Sequence, residues 1–344
     1  MTDIRVSVIL ACHDAEETLS ATLHNLAQSD FADFEVIVVD DASRDHSRDV
    51  ARVGLESFAV SRLIELDANV GVARARNIAL GQAKGQFVWF VDADDIIPPT
   101  ALREMFDAAI RFEADVVFAR ATETDVALSR VIAIDGLEIS EATPLSVDEV
   151  FAAVATGAIR GFLWSKLFRR SVLPAELFPS MRSQSDFMGL MAVLDNAREF
   201  VAIPNFVYDY VRRAGSITTR QEAFSTLLQC ERAFLSVAAG RGVTVSASDE
   251  AYFSGVLTLL AGLNSALRTG GWAALDRRLI RRELRRVRLL SIVGMMRSHP
   301  RTGMLLALAR TSLVGYSTLY GVGRAARGVV LSRRERSTSL SVVS

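Results

Sequence analysis

Two short apolar runs in the first hundred residues each end in a group of aspartates. The five carboxylates concerned are Asp40, Asp41, Asp92, Asp94 and Asp95. Like charges in such number repel one another unless a cation or several hydrogen-bond donors lie among them. A divalent metal bound to a diphosphate meets this need, because Mg²⁺ and Mn²⁺ take oxygens from one or two carboxylates, phosphate and water. The alternative is that single aspartates cap the helices that follow, as Asp95 could do ahead of residues 96–99.

A second polar segment, residues 67–77, follows an apolar stretch and opens a helical pattern. Gly71 permits a close approach of the backbone, and Arg74 and Arg76 lie in the first turns of the predicted helix. A helix N-terminus with arginines near it is suited to binding phosphate. The segment has a second interpretation, which is a glycine turn followed by two solvated arginines.

The elements around these residues alternate between short apolar runs and helical patterns. Strands are predicted at residues 6–10, 36–39, 62–66 and 87–91, and helices at residues 15–27 and 73–83. Strands that alternate with helices predict a parallel sheet covered on both faces. Ligands of such sheets bind beyond the carboxyl ends of the strands, which is where the aspartates lie. The sequence therefore predicts an α/β fold with its site at that edge.

The pattern is mixed from about residue 115 to 219 and then becomes almost wholly helical. Helices are predicted at residues 221–239, 250–267, 272–290 and 303–327, and a disordered tail is predicted at residues 331–344. The chain has 344 residues, enough for a large core and for two units. It has two cysteines and four histidines, which argues against a disulfide framework and against a zinc site. Because the first residues lack the features of a signal peptide, we expect a cytoplasmic protein.

Together these motifs resemble the family 2 glycosyltransferases, whose fold is GT-A, a Rossmann-like mixed α/β sheet that binds nucleotide-diphospho-sugars. The matching stretches are residues 6–10 with 13–14, 35–45, 69–71, 75–77 and 85–95, and their order and spacing match from about residue 4 to 100. The resemblance implies a catalytic domain at residues 1–220, with a donor half at about 1–115 and an acceptor half at about 116–220. A helical C-terminal region would follow at residues 221–330.

The resemblance assigns four residues to a nucleotide-sugar donor. Asp41 would hydrogen-bond uracil or another base, and His13 would lie near that base. Asp92 would hold the ribose side, and Arg76 would lie near the diphosphate. Uridine is the expected nucleoside because the family favours it.

The resemblance also assigns a metal and an acceptor edge. Asp94 and Asp95 would engage a divalent metal, Mn²⁺ or Mg²⁺. Trp164 and Lys166 would contact the acceptor, a glycan or a lipid-linked molecule. The alternative for residues 163–170 is an amphipathic strand with Trp164 packed and Lys166 solvated.

The base expected from the resemblance is Asp186, at the start of an apolar helix. Ser185 stands where the family usually has Glu, and it is the matching candidate for an acceptor contact. The alternative is that Ser185 or Asp186 is an N-cap. The implied reaction is an inverting transfer of a sugar to a hydroxyl in the synthesis of a surface polysaccharide or glycolipid.

Two enzyme classes with similar sheets are excluded by the loop after the first strand. A nucleotidyltransferase needs a glycine-rich loop there, and a dinucleotide-dependent oxidoreductase needs G-x-G-x-x-G, but residues 11–14 contain no glycine. A non-catalytic member of the same fold, which binds a nucleotide-sugar or a partner protein, stays open. Ser185 in place of Glu is the feature that favours it.

Arginine is frequent from residue 268 to 336, and residues 272–290 form an amphipathic pattern. A basic amphipathic helix can lie on an anionic membrane, so one expectation is peripheral contact with the inner face of the plasma membrane. The other is a helix packed on the catalytic domain with solvated arginines. Residues 303–322 approach the length of a membrane span, but Arg310 in the middle argues against one. We expect no nucleic-acid partner.

Overall fold

The computed structural model describes residues 4–125, 130–181, 183–213, 224–269 and 276–323. The described residues form two compact units. Residues before 214, together with 232–245, form the first unit, and residues 224–231 with 246–323 form the second. The predicted tail at 331–344 lies outside the described residues. The division of the catalytic domain into a donor and an acceptor half stays a prediction.

The described part of the first unit contains one mixed sheet. Its strands in chain order are β1 (Val6–Cys12), β2 (Phe34–Asp40), β3 (Ser61–Glu65), β4 (Phe87–Asp92), β5 (Val116–Asp125), β6 (Arg130–Asp135), β7 (Thr143–Leu145), β8 (Lys166–Arg169) and β9 (Phe200–Arg212). The strand order is β3-β2-β1-β4-β8-β5-β9-β7, and β6 pairs with β5. Strands β1 to β4 are parallel, as predicted, whereas β8 runs antiparallel between β4 and β5.

Helices follow the first strands in the predicted alternation. They are α1 (Leu19–Ala27), α2 (Ser47–Leu55), α3 (Val72–Leu80), α4 (Ala101–Arg111), α5 (Val147–Thr156), α6 (Ser185–Asn196) and α7 (Phe224–Gly240). In β2 every residue after Phe34 is buried, the pattern of a strand covered on both faces. Its β-branched residues suit such a position, because they pack well on a pleated surface.

Gly85 sets the position of β4 beside β1. A Cβ atom at Gly85 would lie 2.5 Å from the backbone nitrogen of Ser7, so only glycine fits at this position. The Gly85 N–H donates to Ser7 Oγ at 2.8 Å, and that hydroxyl donates to Glu35 at 2.7 Å. This buried network fixes the start of β4 and, through the strand, the position of Asp92 at its end.

The described part of the second unit is helical. Its helices are α8 (Ala247–Tyr252), α9 (Ala261–Thr269), α10 (Arg277–Arg286), α11 (Leu289–Ser298) and α12 (Pro300–Thr311), with a π-helical stretch, Phe253–Leu260, between α8 and α9. Residues 313–323 are also helical. Within the part of the chain that the structure describes, no helix is both long enough and apolar enough to span a bilayer.

The sequence predicted one continuous helix at 272–290 and another at 303–327, and this was wrong because both are interrupted. Val287 and Arg288 have extended backbone between α10 and α11, and Ser312 is extended after α12. Val287 is nevertheless buried in the same cluster as Ile280 and Leu284 of α10 and Ile292 and Met295 of α11. Residues 272–275 and 324–327 lie outside the described residues.

Candidate active site

Arg76 lies between two carboxylates from distant parts of the chain. Its Nη1 donates to Asp186 Oδ1 at 2.7 Å, and its Nη2 donates to Asp92 Oδ1. Arg76 is 5% exposed, whereas the side chains of Asp92 and Asp186 are 30% and 28% exposed. Ser185, itself buried, donates its hydroxyl to Asp186 Oδ1 at 3.4 Å. The guanidinium is therefore buried beneath two carboxylates that reach solvent.

Burial and the neighbouring charges shift the pKa values of the groups in this cluster. Burial alone would lower the pKa of Arg76, but the charges of Asp186 and Asp92 outweigh burial and raise that pKa. Burial raises the pKa of Asp186, the Arg76 charge opposes this shift, and the Asp92 charge adds to it. Arg76 is thus the positive charge that two neighbouring carboxylates share.

The segment before α6 is fixed against α3 by Asn77. Its Nδ2 donates to the Phe178 carbonyl at 2.8 Å, and its Oδ1 accepts from the Phe178 N–H at 3.0 Å. The Phe178 ring centroid lies 5.5 Å from Arg76 Cζ and 5.0 Å from the Phe90 ring centroid. Sequence reasoning missed both positioning residues. Asn77 ends one of the recognised motifs, which was a usable signal, whereas nothing in the sequence marks Phe178.

Asp95 lies in the interior beside the site. It is 2% exposed, and its Oδ1 accepts from the Val211 N–H at 2.9 Å. Burial raises the pKa of Asp95 to about 8, with the charges of Asp92 and Asp94 adding to the shift and hydrogen bonds from Val211 and the Tyr208 hydroxyl opposing it. Asp95 therefore holds β9 against the end of β4, and in this position its carboxyl group is not presented to a metal in the site.

Asp94 and Asp92 are the carboxylates after β4 that solvent reaches. The Asp94 side chain is 46% exposed and pairs with Arg213 at 3.6 Å. Burial and the charge of Asp92 raise the pKa of Asp94, and Arg213 opposes the shift. Two accessible carboxylates that repel each other suit an oxygen-preferring cation that takes its other ligands from phosphate and water. Among the described residues, no three His, Cys, Asp or Glu side chains converge as a metal site.

Asp41 holds the loop that leads into α3. Its Oδ1 accepts from the Val70 N–H at 2.7 Å, and its Oδ2 accepts from the Gly71 N–H at 2.8 Å. Gly71 has φ 85°, a left-handed conformation that favours glycine. The side chain of His13 is 39% exposed, and its Nδ1 lies 2.8 Å from the Asp41 carbonyl oxygen. The carboxylate predicted to bind the base thus shapes the loop, while His13 stays accessible next to it.

Trp164 is part of a buried aromatic stack. It is 4% exposed, and its ring lies 4.6 Å from the Phe162 centroid and 4.7 Å from the Tyr208 centroid, nearly parallel to both. Its carbonyl accepts from Trp89 Nε1 at 2.7 Å. The Tyr208 hydroxyl accepts from the Asp92 N–H at 2.9 Å, and this bond connects the aromatic stack to the backbone of the candidate site. These contacts give Trp164 a packing role.

Lys166 is buried in an ion pair. It is 1% exposed, and its Nζ donates to Asp135 Oδ2 at 2.7 Å, to the Phe162 carbonyl at 2.6 Å and to Ser165 Oγ at 3.0 Å. Burial lowers the pKa of Lys166, and Asp135 opposes the shift. The ammonium group can donate three hydrogen bonds, and all three are made within the fold. Neither the predicted acceptor contact nor the solvated alternative describes this position.

Comparisons with known proteins agree with the fold and the motifs. Residues 7–131 match the family model described as Glycosyl transferase family 2. The chain is 25% identical over 228 residues to a cholesterol galactosyltransferase of Borreliella burgdorferi, which covers 62% of each protein. It is 27% identical over 216 residues to the poly(ribitol-phosphate) beta-N-acetylglucosaminyltransferase TarS of Staphylococcus aureus, covering 61% of this chain and 36% of TarS.

A third relative has a higher identity over a shorter stretch of the chain. The chain is 38% identical over 98 residues to UDP-Glc:alpha-D-GlcNAc-diphosphoundecaprenol beta-1,3-glucosyltransferase WfgD of Escherichia coli, covering 28% of this chain and 37% of WfgD. The chain thus spans between 36% and 62% of the length of these three relatives.

The solved structure of residues 1–349 of S. aureus TarS in complex with UDP-GlcNAc superposes with a TM-score of 0.64 at 22% identity, covering 94% of this chain and 92% of that one. This likeness shows that the chain has the GT-A fold. The match of residues 7–131 to the glycosyl transferase family 2 model agrees with the resemblance found in the sequence.

We expect Asp41→Asn to loosen the loop ahead of α3. Asparagine keeps one oxygen acceptor, but its NH₂ group would face one of the two backbone donors, and a buried unsatisfied N–H costs about 1–3 kcal/mol. Hydrogen exchange at the amides of Val70 and Gly71 should therefore become about 10- to 100-fold faster. Asp67→Asn, which changes an exposed carboxylate in the same loop, is the matched control. Unchanged exchange in Asp41→Asn would show that its carboxylate does not hold the loop.

Proposed function

We propose that this chain is an inverting glycosyltransferase that moves a sugar from a nucleoside diphosphate donor to a hydroxyl acceptor. The observation that carries the proposal is the cluster of Arg76, Asp92 and Asp186 at the carboxyl edge of the parallel strands. It lies in a chain with a family 2 region. The names of three relatives, which transfer galactose, N-acetylglucosamine and glucose, support sugar transfer as the reaction class.

Asp186 is the base in this proposal. The acceptor oxygen attacks the anomeric carbon from the face opposite the nucleotide while its proton passes to Asp186. The bond from that carbon to the diphosphate oxygen breaks at the same time, and the nucleoside diphosphate leaves with the electron pair. The hydrogen bonds from Arg76 and Ser185 both reach Oδ1, so we assign the proton transfer to Oδ2. General base catalysis contributes about 10²- to 10⁴-fold, and positioning and charge stabilisation supply the remainder.

The donor would lie against the loop held by Asp41, with the base near His13 and the ribose near Asp92. Arg76 would provide positive charge beneath the diphosphate. WfgD, whose name specifies UDP-Glc, supports uridine as the nucleoside. Asp94, with Asp92, would hold Mn²⁺ or Mg²⁺, and the bound metal would neutralise charge on the leaving diphosphate.

The acceptor in this proposal is a hydroxyl of a glycan or of a lipid-linked glycan. The names of the relatives support it, since they specify a poly(ribitol-phosphate), a diphosphoundecaprenol-linked sugar and cholesterol as acceptors. What these acceptors share is a hydroxyl on a polymer or on a lipid. We therefore assign the reaction to the synthesis of a surface polysaccharide or glycolipid.

We expect Asp186→Asn to lose sugar transfer while it keeps the donor site. Asparagine can still accept from Arg76 but cannot take a proton, so transfer should fall by about 10²- to 10⁴-fold. Transfer is measured as UDP released from a panel of UDP-sugars with simple glycosides as acceptors, and donor binding as thermal stabilisation by UDP. Asp195→Asn, an exposed carboxylate on the same helix, is the control. Loss of both transfer and UDP stabilisation would remove Asp186 from the role of base.

A second prediction concerns the metal. Binding to the native state stabilises it by mass action, by about 2.7 kcal/mol at a ligand concentration of 100 Kd. We expect UDP to raise the unfolding temperature of the chain more in the presence of Mn²⁺ or Mg²⁺ than in chelator. Asp94→Ala should abolish that difference, and Asp107→Ala, which alters an exposed carboxylate on α4, should preserve it. An intact metal effect in Asp94→Ala would contradict the assignment of Asp94.

A further inference from the structure

The described helices of the second unit carry a large excess of positive charge. Residues 277–323 contain ten arginines and one acidic residue, Glu283. Glu283 is 5% exposed and pairs with Arg282 at 2.9 Å and with Arg286 at 2.7 Å. Its single charge therefore offsets little of the total, and this part of the surface is strongly cationic.

The arginines of α10 lie on its solvent side. Ile280 and Leu284 are buried, whereas Arg278, Arg281 and Arg285 are exposed. The helix is thus amphipathic in the sense that the sequence predicted, with its apolar stripe packed in the core of the second unit. That packing leaves the cationic face available to a partner.

Apolar side chains are exposed on the helix that follows α10 in the chain. Leu289, Leu290 and Val293 form a solvent-facing group in the first turns of α11, and Leu290 is 85% exposed. Met304 on α12 and Val314 in the helix of residues 313–323 are also exposed. Scattered single apolar residues are ordinary on a protein surface, but three within five positions of one helix are a patch.

Two arginines of α10 lie beside an exposed valine of the helix at residues 313–323. Arg277 and Arg281 of α10 line the same surface pocket as Leu313 and Val314. Val314 is 65% exposed, so an apolar group stands in solvent beside two arginines. A ligand that fits this pocket presents negative charge and hydrocarbon within a few ångströms of each other, which is the chemistry of a phospholipid at the level of its headgroup.

We propose that this face of the second unit binds the surface of an anionic phospholipid bilayer. The arginines of α10 contact the phosphates of the headgroups, and Leu290 and Val293 enter the boundary between headgroups and acyl chains. Nucleic acid would satisfy the arginines but would leave the exposed leucine and valine in water, so the observations favour lipid. This binding goes beyond the transfer reaction and does not depend on it.

The full chain is tested for cosedimentation with phosphatidylcholine vesicles that contain or lack phosphatidylglycerol. We expect binding only to the anionic vesicles. Each arginine near an anionic surface contributes about fivefold to partitioning, so Arg278→Gln/Arg281→Gln/Arg285→Gln should weaken binding by roughly 100-fold and reduce its salt dependence. Leu290→Ser/Val293→Ser should weaken it by about tenfold or more with the salt dependence retained.

The control variant is Val53→Ser/Arg44→Gln, which alters one exposed valine and one exposed arginine of the first unit and should bind as the parent does. All variants are first shown to unfold at the temperature of the parent. Three outcomes would overturn the proposal. They are absence of binding to anionic vesicles, binding insensitive to both sets of substitutions, and a dimer in solution that Leu290→Ser/Val293→Ser dissociates without lipid. Binding to a DNA duplex that the leucine and valine substitutions leave unchanged, with no vesicle binding, would identify nucleic acid instead.

Discussion

Arg76 makes hydrogen bonds to Asp92 and Asp186, and the candidate site depends on this shared cation. A buried guanidinium is stable only while its partners remain, and removal of one member of such a pair costs about 3–5 kcal/mol. Asp92 ends β4 and Asp186 lies in the first turn of α6, so the interaction ties the parallel half of the sheet to α6. Gly85 positions β4 beside β1, and Asn77 fixes the segment ahead of α6. The contacts that hold the candidate site together therefore also hold these strands and helices together.

The repulsion among the aspartates is offset mainly by arginines and N–H donors of the protein itself. Asp40 is fully buried and accepts from Arg48 Nε at 2.6 Å, and Asp41 accepts from two backbone amides. Asp95 accepts from a backbone amide of β9. Repulsion among carboxylates, read from the sequence, correctly indicated that counter-groups must exist, but most of them are arginines and N–H donors. Asp92 and Asp94 keep accessible carboxylates, and these are the two that a metal could share.

The parallel strands β1 to β4 and the helices between them could be predicted, because alternation of apolar runs and helical patterns is a local property of the sequence. Lys166 could not be placed in the same way, since its burial depends on Asp135, which β6 brings to it across the sheet. Trp164 is likewise placed by β9 through Tyr208. The breaks at Val287 and Ser312 could not be predicted either, since no proline or glycine stands at those positions to signal them. Local patterns predicted the donor edge, and tertiary contacts decided which residues there are accessible.

Arg76 supplies the positive charge that Asp92 and Asp186 share, and the most direct test of this role is a coupling measurement by urea unfolding. We expect Arg76→Met to lower the free energy of unfolding by about 3–5 kcal/mol, because two carboxylates would then face each other without a cation. The triple variant Arg76→Met/Asp92→Asn/Asp186→Asn removes that repulsion and should recover more than half of the loss. A triple variant no more stable than Arg76→Met alone would contradict the account.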